Sequence, residues 1–181
     1  MYNVYLEKNA RQVSSEVVEI IHQDIIEEES EETSSNFIYE QYEVNENLEM
    51  PTKEIDGVEY IATVEIPALN LDLPVASTWS YSLLTITPCR YTGSVYTNDL
   101  VIAAHNYTSH FGTLKNLTTG DSVIITDMDN NVFEYEVAQI EIIEPTDIEQ
   151  MTTADDWDLT LFTCNYGGSV RITVRCVLVS D

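Results

Sequence analysis

From about Ile55 onward the chain is a series of short runs rich in β-branched and aromatic residues, and this pattern restricts its fold more than any other feature. The clearest runs are residues 60–66, 122–126, 132–138, 159–163 and 170–179. Turn-forming residues at 129–131 and 167–168 separate neighbouring runs, and 100–104 is a fully apolar run typical of a buried central strand. Helical signals here are short, near 110–117 and 147–151. The pattern predicts a mainly β fold, a closed or nearly closed barrel.

The N-terminal segment has a different character. Residues 12–52 contain no Lys or Arg, whereas twelve acidic residues lie between Glu16 and Glu49. Four apolar residues recur at four-residue steps, as in a one-faced helix: Val13, Val17, Ile21 and Ile25. The acidic run at 27–32 and the polar residues at 33–35 then predict a solvated linker, with a partly disordered acidic stalk as the alternative. We therefore divide the chain into an acidic N-terminal helix and linker at 1–54 and a β-barrel at 55–181, the helix serving as a stalk or as a brace on the barrel.

The charge excludes one class of partner. The 181 residues include 32 acidic and 7 basic ones, a formal net charge of -25. Such a field repels phosphate backbones and anionic membrane surfaces, and it attracts cationic partners. No run approaches the roughly 18 apolar residues of a spanning helix, and no signal peptide is visible. We expect no nucleic-acid binding, and membrane association only through an anchor outside this chain.

Three cysteines are present, at Cys89, Cys164 and Cys176. The odd number leaves at least one thiol unpaired within the chain, and no C-x-x-C spacing indicates a metal or redox motif. We interpret Cys89 and Cys176 as core residues, with a disulfide between them outside the cell as the alternative.

Three chemically active residues lie where an apolar strand meets a loop. Cys164 ends the run 160–164, His105 ends the run 101–105, and Arg171 opens the last strand just across a turn from Cys164. A nucleophilic thiol needs a nearby base or cation, and a guanidinium supplies donors for an oxyanion. Arg175 shares the strand face of Arg171 and is a weaker candidate.

At this point the sequence resembles a known family. The segment Thr-Leu-Phe-Thr-Cys at 160–164 is similar to the TLxTC motif of sortases, and Arg-Ile-Thr-Val-Arg at 171–175 to the arginine-led strand that follows it. Val-Ile-Ala-Ala-His at 101–105 resembles the strand that ends in the catalytic histidine, with Ala104 where many sortases have glycine. Further similarities are Phe-Gly-Thr-Leu-Lys-Asn-Leu at 111–117, Gly-Asp at 120–121, Val-Glu-Ile-Pro at 64–67 and Leu-Pro-Val at 73–75.

The resemblance implies a closed eight-stranded sortase-type barrel and a cysteine transpeptidase. Cys164 would attack a sorting signal, often of LPxTG type, to give a thioacyl-enzyme, which an amine of peptidoglycan or a pilin would resolve. His105 would act as acid and base, and Arg171 would hold the substrate and stabilise the oxyanion. The enzyme would need no cofactor and would work on the extracellular face of the cytoplasmic membrane of a Gram-positive cell. No lid motif of pilin-polymerising sortases is recognised, which favours a class B- or D-like enzyme.

Several alternatives stay open. A sortase-like barrel could bind partners without turnover, and a cysteine hydrolase would use water as the acceptor. Some sortases bind calcium, and six acidic residues could offer oxygen ligands: Asp127, Asp129, Glu141, Glu144, Asp147 and Glu149. They lack the spacing of a dedicated calcium loop, and solvated acids are the default interpretation. His110 is predicted to be an exposed loop histidine, and His22 to lie on the N-terminal helix without a catalytic role.

Overall fold

The computed structural model describes residues 2–31, 49–153, 156–165 and 167–179. It has three α-helices in the part of the chain so described, α1 at Tyr2–Glu31, α2 at Tyr81–Leu84 and α3 at Ile148–Thr152, and three single-turn 3-10 helices. The strands in the same part are β1 Lys53–Ile55, β2 Val58–Ile66, β3 Leu71–Ala76, β4 Cys89–Thr92, β5 Leu100–Ala103, β6 Ser122–Asp127, β7 Val132–Ile143, β8 Leu159–Cys164 and β9 Arg171–Leu178. The predicted linker at 33–35 lies outside the described residues.

Eight of these strands close into a barrel. Around the ring the order is β2, β3, β4, β5, β8, β9, β7 and β6, and β6 pairs back onto β2. The strand β1 lies outside the ring and forms a hairpin with β2. The prediction of a mainly β, closed eight-stranded barrel with few short helices and an N-terminal helix is confirmed.

Side chains of the ring alternate between an enclosed core and the outer surface, as the two-residue period of a strand requires. Ile102, Leu161 and Val174 point inward and are fully buried in the main core. Val101 and Phe162, one residue away in each strand, belong instead to a separate cluster on the outside of the sheet. The same three strands therefore present an apolar inner face and a second, distinct outer face.

Two strands give weak sequence signals. β3 contains Pro74, which lacks the N–H that a ladder needs, and β4 is only four residues long. These two strands meet at a single pair, Ala76 with Cys89, in parallel orientation. The seam between them is bridged by a side chain, since Arg90 Nε donates to the Ser77 carbonyl at 2.8 Å.

The long helix α1 packs on the outside of the barrel. Val17 and Ile21, two of the predicted stripe residues, are buried against Tyr60 and Cys89, and Lys53 pairs with Asp24 at the rim. The contact supports the interpretation of this segment as a brace along the described part of α1. None of the helices in the described part of the chain combines the length and the apolarity needed to cross a membrane.

The two non-site cysteines are buried in different places. Cys89 lies under α1, and Cys176 lies in the barrel interior, each with no exposed surface. Both thiols are free. Burial raises the pKa of each thiol to about 12. The interpretation of both as core residues is confirmed.

Candidate active site

Cys164 and Arg171 face each other across an antiparallel strand pair. Cys164 is the last residue of β8, Arg171 is the first of β9, and the two are register partners. Partners of this kind have Cβ atoms about 4.5–5.5 Å apart and project from the same side of the sheet. Arg171 Nη1 donates to the Gly168 carbonyl at 3.3 Å within the connecting turn. The turn thus brings a thiol and a guanidinium together at one end of the barrel.

His105 reaches the same end from the neighbouring strand. β5 runs parallel to β8 and in register with it. Beyond the last pair the chains stay together, because the Ala104 N–H donates to the Phe162 carbonyl at 3.2 Å and the Thr163 hydroxyl donates to the Ala104 carbonyl at 2.9 Å. Continuing the register places His105 beside Cys164, on strands about 4.8 Å apart. The three predicted site residues therefore lie at or just beyond the ends of three consecutive strands of the ring, all at one end of the barrel.

The imidazole of His105 is held in a partly apolar environment. Its ring stacks on Tyr107, with centroids 4.0 Å apart and planes inclined by 14°. Burial lowers its pKa, and the Asn106 side chain and the charge of Glu7 partly offset that effect. The neutral base is therefore favoured until a negative charge develops nearby. Sequence reasoning missed Tyr107 and Glu7, since neither belongs to a motif by itself.

Arg175, the weaker candidate, has a different environment from Arg171. It is 1% exposed, and its guanidinium donates to Glu141 Oε1 at 2.7 Å, to the Thr160 hydroxyl at 2.9 Å and to the Met151 carbonyl at 2.9 Å. It also donates to the Gln150 carbonyl. These bonds fasten α3 to the outer face of β8 and β9. Arg175 is an anchor for the segment between β7 and β8, and its donors are not directed at the thiol.

The prediction of an exposed His110 is wrong. His110 has no exposed surface, and its Nε2 lies 3.3 Å from the Ser14 hydroxyl of α1. Burial, followed by the charge of His105, lowers its pKa to about 4. The burial comes from a helix almost a hundred residues away in sequence, so the local pattern around His110 contains no signal for it. His22, in contrast, lies on the half-exposed side of α1, 3.6 Å from Asp72.

Three of the six acidic residues considered for calcium have other contacts. Asp127 is buried and accepts from the backbone N–H groups of Asp129 and Asn131 at 2.9 Å each. Glu141 pairs with Arg175, and Asp147 accepts from the Gln150 N–H at the start of α3. Within the described residues, no group of three or more His, Cys, Asp or Glu side chains could hold a metal ion.

A buried apolar cluster lies beside the three site residues on the outside of β5 and β8. It is formed by Val101, Ala103 and Phe162, with Met151 of α3 on one side. On the other side Tyr91 packs edge-on against Phe162 and stacks on the half-exposed Trp79. A cavity of about 360 Å³ lies beyond, at the seam between β3 and β4, lined by Ser77, Thr78, Trp79, Arg90, Tyr91, Thr92 and Gly93. The outer face beside the site is therefore a covered apolar cluster, and the open cavity lies at the β3–β4 seam.

Comparisons with known proteins agree with this arrangement. A sequence profile of the sortase domain matches residues 64–179, so the chain belongs to the sortase family. Sortase C1 from Streptococcus suis is similar in structure, with a TM-score of 0.58 and 28% identity over 67% of this chain and 74% of that one. Sortase C from Streptococcus pneumoniae gives 0.59 and 27% over 67% and 70%. The sortase D5 transpeptidase of Clostridium perfringens shares the fold, with 0.59 and 22% over 67% and 79%. A search of curated proteins gave no match.

Membership of this family defines the enzyme class. The chain is a cysteine transpeptidase, and sortases are cell-surface enzymes of Gram-positive bacteria that act on sorting signals and on amines of pilins or peptidoglycan.

Proposed function

We propose that this sortase cleaves an LPxTG-like sorting signal through a thioacyl-enzyme on Cys164 and transfers the acyl group to an amine. The observation that carries the proposal is the convergence of Cys164, His105 and Arg171 at the ends of three neighbouring strands. The division into an N-terminal segment at 1–54 and a catalytic barrel at 55–181 belongs to the same proposal. So does a position on the extracellular face of the membrane, held by an anchor outside this chain.

The first half of the reaction forms the thioester. The Cys164 thiolate adds to the carbonyl carbon of the scissile peptide bond, and the carbonyl oxygen gains the negative charge. The Arg171 guanidinium stabilises that charge, since it lies opposite the thiol in the strand register. Protonated His105 then gives its proton to the leaving amine as the C–N bond breaks.

The second half transfers the acyl group. The acceptor amine attacks the thioester carbonyl, His105 takes up a proton from that amine, and the C–S bond breaks to regenerate the Cys164 thiolate. Each proton and electron pair is accounted for by these two side chains and the substrates, so we propose that no cofactor takes part. Calcium, if bound, would have a supporting role only.

The proposal is tested by mass spectrometry of the wild type and Cys164→Ala after incubation with a panel of LPxTG-like peptides. We expect an acyl adduct on Cys164 in the wild type, absent from the variant and discharged to a new amide by an added amine. Discharge to the free acid at the same rate with and without amine would instead indicate a cysteine hydrolase. A wild-type enzyme that forms no adduct with any peptide and does not react with a thiol reagent would contradict the proposal in favour of a binding module.

A further inference from the structure

The helix α1 contacts the loop after His105 at two points. The Glu7 carboxylate accepts from the Thr108 N–H at 2.8 Å and from the Thr108 hydroxyl, and the Ser14 hydroxyl lies 3.3 Å from His110 Nε2. Seven residues separate Glu7 from Ser14, which is close to two turns, so both side chains lie on one face of the helix. This face is directed at residues 108–110.

The same face continues into the contact that fixes α1 to the barrel. Ser14 is 2% exposed, and one and two turns further along Val17 and Ile21 are buried against the outside of β2, β3 and β4. Apolar packing at those two positions joins the helix to the barrel. The polar residues Glu7 and Ser14 lie over the loop and make directional bonds to it, and the Ser14 hydroxyl also donates to the Ile86 carbonyl at 3.4 Å.

The loop in turn determines how the imidazole is oriented. The Phe111 N–H donates to the carbonyl of His105 at 3.2 Å, and the Gly112 N–H donates to the Tyr107 carbonyl at 2.8 Å. Gly112 passes so close that a Cβ there would lie 2.5 Å from the Asn106 carbonyl oxygen. The loop is therefore folded tightly back on His105, with the Tyr107 ring stacked on the imidazole. A shift of residues 108–110 would be transmitted to the His105 side chain.

We propose that Glu7 and Ser14 are positioning residues for His105, and that α1 is part of the active site through the loop that it holds. The inference rests on the proposed catalytic role of His105. Electrostatics support it, because hydrogen bonding to Thr108 lowers the pKa of the Glu7 carboxyl and keeps it ionised. A carboxylate at this position favours the imidazolium form that must protonate the leaving amine.

The test compares Glu7→Gln with Glu19→Gln in the full chain. Glu19 is an exposed carboxylate on the same helix, so its variant is matched in charge and in helix propensity. The first readout is the NMR titration of His105, assigned with His105→Gln, and the second is steady-state transfer of a sorting peptide to an amine. We expect Glu7→Gln to lower the pKa of His105 and to reduce kcat about tenfold with little change in KM. We expect Glu19→Gln to match the wild type.

A double-mutant cycle with Thr108→Val sharpens the assignment. Because Glu7 and the Thr108 hydroxyl share a hydrogen bond, the double variant should lose less activity than the product of the two single losses. The inference is overturned if Glu7→Gln and Glu19→Gln give the same His105 titration and the same kcat. It is also overturned if Glu7→Gln has the wild-type kcat at temperatures below the onset of its thermal unfolding, because the loss of kcat would then come from unfolding. Activity that survives in His105→Gln would contradict the proposed function, while the titration would still report on the contact between α1 and the loop.

Discussion

The inner and outer faces of β5, β8 and β9 are made by alternate residues of the same strands, and only the outer face combines apolar residues with charged and reactive ones. The inner face holds apolar side chains such as Leu161 and Val174, with no exposed surface. The outer face of the same strands has Cys164, Arg171 and Arg175. The two-residue period thus keeps the proposed catalytic side chains off the core face, because neighbouring side chains point into different environments. Within the outer face, substitutions at the site residues should affect activity, and substitutions at the buried residues should affect stability.

The largest difference in transfer activity is expected between alanine substitutions at two cysteines, Cys164 and Cys176. Cys164→Ala removes the proposed nucleophile from the outer face and should reduce transfer by a factor on the order of 10⁵, with the melting temperature almost unchanged. Cys176→Ala removes a thiol of the barrel interior and should leave activity intact while lowering the free energy of unfolding by about 1–2 kcal/mol. Transfer assays and thermal unfolding of both variants measure this. Substantial transfer activity in Cys164→Ala would contradict the assignment of Cys164 as the nucleophile.

Substitutions of the two arginines on the outer face should also affect different properties, stability in one case and kcat in the other. Arg175→Met leaves Glu141 and two carbonyls of the α3 segment without their donor, and should lower the free energy of unfolding by about 3 kcal/mol. Arg171→Met should change stability by less than about 0.5 kcal/mol and reduce kcat about 10²- to 10³-fold. Urea unfolding and steady-state kinetics test the pair. If Arg171→Met were the less stable variant, the assignment of anchor and site residue would be reversed.

His110, in the loop after β5, should make the free energy of unfolding depend on pH. Burial lowers the pKa of His110 to about 4 from its ordinary value of 6.5. Between these values the unfolded chain binds a proton that the folded chain does not, so stability at this position is lost as the pH falls. From pH 7 to 4 the wild type should lose up to about 3 kcal/mol more than His110→Gln, measured by urea unfolding at each pH. His22→Gln is the control, and curves for His110→Gln that parallel the wild type would contradict the expectation.

The smallest expected effect is a gain, rather than a loss, in the free energy of unfolding. Thr173 lies on the outer face of β9 with no exposed surface, and its hydroxyl makes no hydrogen bond within the described structure. Thr173→Val removes a buried polar group of nearly equal shape and should raise the free energy of unfolding by about 1 kcal/mol. Thermal unfolding measures the change, with Thr160→Val as the control, since the Thr160 hydroxyl accepts from Arg175 at 2.9 Å. A loss of stability in Thr173→Val would indicate a partner for that hydroxyl.

Much of the barrel could be predicted from the strand pattern. The runs that became β8 and β9 and the hairpin of β6 and β7 were visible as β-branched segments separated by turns, and the stripe of Val17 and Ile21 predicted α1. β3 and β4 gave weaker signals because Pro74 and a length of four residues conceal them. The closing pair of β2 with β6 depends on contacts between residues about 60 positions apart, such as Thr63 with Thr126. Local propensity does not encode pairings of that range.

The candidate site was accessible to sequence only through motifs. Cys164, His105 and Arg171 could be chosen because each ends or opens a strand and fits a family pattern. The environment of the site was not accessible, because His110, Glu7 and Ser14 gain their contacts from the docking of α1. Arg175 was placed on the correct strand face, but its bonds to α3 arise from the path of the segment between β7 and β8.

Closure of the ring limits how an extended peptide can be recognised. Each strand from β2 to β9 has a strand neighbour on both sides in the described structure, although β3 and β4 meet at only one pair. Free sheet edge for a further strand, as in β-augmentation, is therefore limited in the described structure to β1 and to the unpaired part of the β3–β4 seam. Selectivity then depends on side chains of the outer face and on the connecting segments. Such positions can be exchanged without breaking the barrel's ladder of backbone hydrogen bonds, which makes this chain a suitable scaffold for engineering altered peptide preference.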